Sequence, residues 1–366
     1  AFGDVPFYTE YITLDQAYEM GRIDREVILQ QIYADYDEAA SVLPESYTGV
    51  ERVTKGAALA MKARAALLMN DWATCAAAAK ACMDLGVYSL HPDFGEFFLS
   101  KTKTSPELIF ALPCSNELGI MLYDGAGVNS FYIRNAGGTS VAQPSWELFF
   151  AFTCTDGLNV EDSPLYDPAN PFANRDPRLA ASVVTNGSTW NGRTIDQSAG
   201  ATDDMANTNA SKTGYYLKKF LTDNLDLVQG QVAQHNWIAY RWAEVLLNYA
   251  EAMNEAYGPD AAPAGYTLTA RQALQQVRDR ASSKLPKVFA SDKDSFREVV
   301  KHERRIELAF EDHRYWDLLR WKDAMDVLNK PVLGVAVTKT QTGWSYEVQE
   351  VATRTFYERN YYLPFL

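Results

Sequence analysis

The 366-residue sequence has no run of about eighteen apolar residues, which excludes a helix able to span a bilayer. No secretory leader and no cysteine placed for lipid attachment stand out either. Concentrated positive charge is also missing. Lys and Arg number 34 against 47 acids, for a net charge of −13. Phosphate backbones and anionic membrane surfaces need clustered cations, so both are poor partners for this chain. The nearest basic cluster, Lys301 to Arg305, is interrupted by Glu303 and continued by Glu307, which reads as internal pairing.

Cysteine and histidine are scarce, four of each. Four cysteines do not make a framework in a chain of this size. Cys75 and Cys82 lie seven apart on one expected helix, about 10.5 Å at the standard rise, too far for a disulfide. With no CxxC and no clustered histidine beside them, they read as small buried hydrophobes rather than zinc ligands. Cys114 and Cys154 can pair only if the fold brings them together. His302-Glu303 begins like a zinc-protease motif, but Ile306 stands where the second histidine belongs. His313, four before Asp317, reads as a core histidine. Gly125-Ala126-Gly127 lacks the third glycine of a dinucleotide turn. Neither a nucleophile elbow nor a phosphate loop occurs, so no catalytic residue, metal or cofactor is expected.

What is present is enough apolar material for a large core: 47% hydrophobic and 13% aromatic residues. Helical periodicity covers Asp24 to Leu43, closed by Pro44. Lys55 to Asn70 and Asp71 to Leu85 predict an alanine-rich helix pair, with small Ala60, Ala63 and Ala76 beside bulky Leu67, Leu68 and Trp72, as in tetratricopeptide-type packing. A second pair is expected at Trp237 to Tyr257 and Thr269 to Ser282. Two pairs are fewer than a free-standing solenoid needs, so they must lean on other structure.

Residues 299 to 322, VVKHERRIELAFEDHRYWDLLRWK, mix aromatic, aliphatic and charged side chains on every side of one expected helix. Val299, Ile306 and Phe310 fall on one flank, and Leu308, Tyr315 and Leu319 on the other, which predicts a buried helix. Its charges must then be paired. Spacing of three offers Arg304 with Glu307, Glu311 with Arg314, Arg314 with Asp317, and Asp317 with Arg320.

This segment resembles the signature helix of the SusD/RagB family, outer-membrane nutrient-binding lipoproteins of Bacteroidetes, through Arg304, Arg305, Glu307, Phe310, Glu311, Arg314, Asp317, Arg320 and Trp321. Other marks follow in family order: Gly3-Asp4-Val5-Pro6, Glu107 to Ala111, Arg175-Asp176-Pro177-Arg178-Leu179, the Arg241 to Ala256 helix, and Val277-Arg278-Asp279-Arg280-Ala281. The resemblance implies a mostly α, SusD-like fold: tetratricopeptide-type helix pairs plus a loop-rich region with small strands. It implies one domain over 1–366, with helical scaffold at 22–85 and 237–325 and a loop-rich ligand-binding part at 86–236. Helices upstream and an N-terminal lipid anchor are expected outside this chain. It further implies a non-catalytic protein on the extracellular face of the outer membrane that binds glycan and passes it to a SusC-like TonB-dependent transporter. A peptide-binding member of the family and a general protein-interaction scaffold are the alternatives.

Ligand-contacting residues are expected among aromatics set in polar loops, Tyr123, Tyr132 and Trp190, with Asn129 and Arg134 nearby. Flat rings stack on the CH faces of pyranoses while amides and guanidinium groups take the hydroxyls. The alternative is that these rings plug the loops against the helices. Loop acids Asp156, Glu161, Asp162, Asp203 and Asp204 are read as turn-formers rather than a catalytic pair. Short strands are expected at Leu108 to Leu112 and Tyr215 to Phe220.

Overall fold

The computed structural model describes residues 3–48, 52–115, 131–231 and 233–362. Its first helices are α1 (Leu14–Glu19), α2 (Arg25–Val42), α3 (Lys55–Leu68) and α4 (Trp72–Asp84). Asp24, Thr54 and Asp71 each cap the helix that follows by accepting a backbone N–H. Left-handed Asn70 turns the tight corner between α3 and α4. Ala57, Ala60, Ala63, Ala66, Ala76 and Ala79 are all fully enclosed, so the backbones approach closely. Cys75 and Cys82 fill the same core as expected, their thiols 3.6 Å from the Asn248 and Gly56 carbonyls. All four cysteines are free thiols.

After α5 (Phe94–Phe97) and β1 (Leu108–Leu112) come the short α6 (Trp146–Ala151) and α7 (Pro177–Ser182), then β2 (Val183–Val184), β3 (Thr189–Trp190), β4 (Arg193–Thr194) and β5 (Tyr216–Leu217). The expected 215–220 strand keeps two residues, because Phe220 turns left-handed at φ 72°. The expected 237–257 helix begins instead as β6 (Trp237–Arg241), paired antiparallel with β1. β1 offers an open ladder edge that Trp237, Ile238 and Tyr240 suit better than a helical turn. From Trp242 to Asn254 every residue of α8 (Trp242–Tyr257) is buried. It packs on α4, α9 (Ala270–Arg278) and α10 (Lys293–Glu307).

The signature segment is not one helix. It breaks after Glu307 and resumes as α11 (His313–Trp321), followed by α12 (Ala324–Leu328). Phe310 and Asp312 adopt φ of 64° and 62° in between. The helix end is stabilised from outside: the Glu307 carbonyl accepts from Arg241 Nη2 at 2.8 Å and Lys219 Nζ at 3.1 Å, and the Ala309 carbonyl from Lys219 at 2.9 Å. The two apolar flanks read from the sequence belong to two helices with different inner faces. Ile306 and Leu318 are buried, whereas Tyr315 and Trp316 are about two-fifths exposed, at 42% and 39%. The chain closes on an unexpected hairpin, β7 (Val332–Lys339) and β8 (Trp344–Ala352).

Of the four expected i,i+3 pairs, the ion pair found is Asp317 with Arg320. Glu303, Glu307 and Glu311 pair over long range instead. Glu307 receives Arg241, Arg280 and Arg178 at 2.8 Å each. Glu303 holds Arg178 and Arg278, Glu107 holds Arg241 and Arg280, Glu311 holds Arg241 and Lys219, and Asp176 holds Arg178. The result is one buried, neutral network of five cations and five carboxylates. Burial alone would raise the Glu307 pKa, but the guanidinium groups of Arg280, Arg241 and Arg178 hold it well below the usual carboxylate range. A second neutral set joins Arg304 and Arg320 to Asp317 and Glu251, with Trp321 Nε1 donating to Glu251. Arg305 donates to the Glu147 carbonyl, and burial together with neighbouring Arg314 pushes its pKa down to about 10. Arg314 makes no ion pair among the described residues.

Candidate ligand-binding site

The loop-rich part rests on this network through Arg178 and Lys219, and their chain neighbours Pro177, Leu179 and Lys218 help line a cavity of about 170 Å³. Its walls come from α7, β2 and β3. Asp176 starts α7, accepting from Arg178 N at 2.9 Å, with Pro177 at the first helical position. Arg175 locks the approach by donating to the carbonyls of Pro171, Phe149 and Phe152. On the far wall, β3 and β4 form a hairpin whose two turn residues, Asn191 and Gly192, both have positive φ, the geometry an Asn-Gly turn provides. Asp223 accepts from Asn191 N at 2.6 Å, and Arg193 makes a bidentate pair with Asp203 at 2.5 and 2.7 Å. The hairpin is thereby held at its tip and its base.

That hairpin delivers Trp190 to the cavity. The indole is 4% exposed, lies 5.7 Å from Lys218 Nζ, and keeps a buried Nε1 without a hydrogen-bond acceptor among the described residues. Lys218 is itself pinned by donating to the Ala180 carbonyl at 2.8 Å, and burial lowers its pKa. Thr185, Ser188 and Thr189 add hydroxyls to the wall. An apolar ring edge, an ammonium group and three hydroxyls are complementary to a polyhydroxylated ring with one apolar face.

The other expected contact residues divide. Tyr132 shares the buried cluster of Trp190, Val184, Tyr216 and Leu217, but its ring is 0% exposed. Its hydroxyl accepts from Thr222 N at 2.9 Å, and burial raises its pKa to about 12. Tyr132 therefore plugs the loops and presents no stacking face, a correction to the sequence reading. Arg134 is exposed at the head of a 3-10 turn, away from the lining of the Trp190 cavity. Tyr123 and Asn129 lie outside the described residues. Lys218 and the hydroxyl trio were not anticipated. The Asn191-Gly192 dipeptide was the available signal, since it marks a hairpin that must carry Trp190 inward. Among the loop acids, Asp156 and Asp204 cap turns by accepting backbone N–H groups, whereas Asp203 is a buried partner of Arg193.

Comparison with known proteins gives matches along most of the chain. The SusD family model matches residues 106–366. SusD-like protein P25 of Formosa agariphila is 28% identical over 355 residues, covering 89% of this chain and 61% of that protein. SusD-like protein P2 of the same organism is 26% identical and likewise matched over 61% of its length, so the chain spans about three-fifths of these relatives. Among solved structures, a SusD-like carbohydrate binding protein from Bacteroides fragilis superposes with a TM-score of 0.83 at 29% identity, covering 99% of this chain and 73% of that one. A second SusD-like protein from B. fragilis gives 0.82 at 26% identity, covering 99% and 72%. The mostly helical architecture is the one these structures share.

Proposed function

Because the chain belongs to the SusD family, we propose that it is a non-catalytic glycan-binding protein of the cell surface, with the 86–236 part forming the binding face. It captures oligo- or polysaccharide and passes it to a SusC-like TonB-dependent transporter in the outer membrane, held there by a lipid anchor. The observation that carries the reading is the cavity under Trp190 and Lys218, where a rigid hairpin presents an indole beside an ammonium group and three hydroxyls. The carbohydrate-binding relative of the same fold supports the ligand class.

Affinity electrophoresis against neutral, uronic-acid and sulfated polysaccharides, followed by calorimetry with oligosaccharides of the best binder, tests it. The parent binds at least one glycan class without releasing reducing sugar, and Trp190→Ala weakens binding tenfold or more. Unchanged affinity of a folded Trp190→Ala protein overturns this placement of the site.

A further inference from the structure

A second cavity, about 150 Å³, opens where the loops meet the helical scaffold, lined by Arg64, Phe220, Trp237, Phe310, Glu311 and Asp312 among others. Three of these residues, Phe220, Phe310 and Asp312, have left-handed φ of 72°, 64° and 62°. For a bulky non-glycine residue this is a strained conformation, retained only where the surroundings over-determine it.

The cause of the strain is visible. Lys219, next to Phe220, and Glu311, next to Phe310, form a buried ion pair at 2.6 Å. Lys219 also takes the Glu307 and Ala309 carbonyls. One pair of charges therefore clamps two turns together and sets both phenylalanine rings at one cavity. Phe220 stacks on Trp237 with ring centroids 6.3 Å apart and planes 18° apart.

The polar rim is equally fixed. Arg64 is held by Nε and Nη2 to Glu244 and the Ala239 carbonyl, and its guanidinium lies 3.5 Å over the Tyr240 ring. Two of its three nitrogens are thus committed to protein acceptors. Asp312 is exposed and its carboxylate accepts no hydrogen bond among the described residues. Three aromatic side chains, the Arg64 guanidinium and the Asp312 carboxylate in one lining suit a ring with an apolar CH face and equatorial hydroxyls. The Asp312 carboxylate, with Glu311 already neutralised, disfavours a phosphorylated ligand. We propose that this cavity is a second saccharide subsite, taking one pyranose unit with Asp312 and Arg64 on its hydroxyls. It rests on the glycan-binding reading but stands apart from the Trp190 cavity, with which it shares no lining residue.

Asp312→Gly tests it cleanly, because glycine adopts positive φ without strain and the fold is retained or stabilised while the acceptor is lost. Phe310→Leu is the second variant, keeping apolar volume but losing the flat ring. Calorimetric titration of the full chain with the oligosaccharide its parent binds is expected to show more than threefold weaker affinity for Asp312→Gly, with a melting temperature no lower than the parent's, and a loss of similar size for Phe310→Leu. Affinity of Asp312→Gly within threefold of the parent, with Trp190→Ala still impaired, overturns the subsite alone. A parent that binds no saccharide overturns the glycan reading and this subsite with it.

Discussion

Lys219 Nζ and Glu311 Oε1, 92 positions apart in the chain, lie 2.6 Å from each other inside the protein. The ammonium sits 4.3 Å from the Phe98 ring centroid, under an aromatic roof. Burial, aided by neighbouring Arg241 and opposed by Glu311, lowers the lysine pKa to about 8. The pair ties the loop-rich part to the turn between α10 and α11.

Removing one partner strands the other charge. Glu311→Ala is expected to cost about 3 kcal/mol or more, because Lys219 and Arg241 are left in a low-dielectric interior. Asp84→Ala, which breaks the exposed Lys80–Asp84 pair, is expected to cost under about 1 kcal/mol. Denaturant midpoints of the two variants check the contrast, and equal costs would contradict the buried network.

Stability is expected to fall in two stages as pH drops. Burial lowers the His235 pKa from 6.5 to about 4, and neither of its ring nitrogens has a partner among the described residues. The unfolded chain thus takes up this proton first, and stability drains between pH 6.5 and 4. Glu244 and Asp317 would be raised by burial but are held at about 2 by Arg64 and Arg304 respectively. Their contribution is intact above about pH 4.5 and is lost toward pH 2. Thermal melts across pH 3 to 8 check both stages, and His235→Phe should shrink the upper one, the remainder belonging to His302 and His313, whose pKa values burial also lowers.

A thiol probe should find one cysteine in the native protein. Cys75, Cys82 and Cys154 are fully buried, and burial pushes the Cys75 and Cys82 thiols upward, whereas Cys114 is partly exposed. Brief maleimide labelling followed by peptide mass spectrometry is expected to place the label on Cys114. Label on Cys75 or Cys82 without denaturant would show that the α3–α4–α8 core opens.

Gly214→Ala should be costly. The backbone there has φ 78°, and an added Cβ would lie 2.4 Å from the Val335 carbonyl, where β7 docks through a 2.9 Å bond from Val335 N to the Thr213 carbonyl. Strain and clash together are expected to remove about 2–4 kcal/mol. Faster proteolysis at the β7–β8 hairpin would locate the damage.

Much of the scaffold was legible in the sequence because helix caps and alanine periodicity are local signals. Asp24, Thr54 and Asp71 mark real helix starts. Long-range competition was not legible. Nothing near Trp237 indicates that β1 waits to pair with it, and nothing near Phe310 indicates that Lys219 will take the carbonyls at the end of α10. The i,i+3 arithmetic on the signature segment failed for the same reason: Glu307 finds three arginines that lie 27 or more residues away. At the candidate site, Trp190 could be picked out as an aromatic in a polar loop, but the same rule also chose Tyr132, because exposure depends on which face of a loop packs inward.

Glu107, Asp176, Arg178, Lys219, Arg241, Arg278, Arg280, Glu303, Glu307 and Glu311 come from several separate stretches of chain, yet each contributes to one closed balance of charge. Such a lock constrains the ends of the segments between its members, while Arg305 on the Glu147 carbonyl and Val335 on the Thr213 carbonyl hold two of the interiors. Within 185–212, residues outside those contacts can therefore be exchanged like interchangeable heads on a common handle, and a chimera that keeps the ten locked residues should fold.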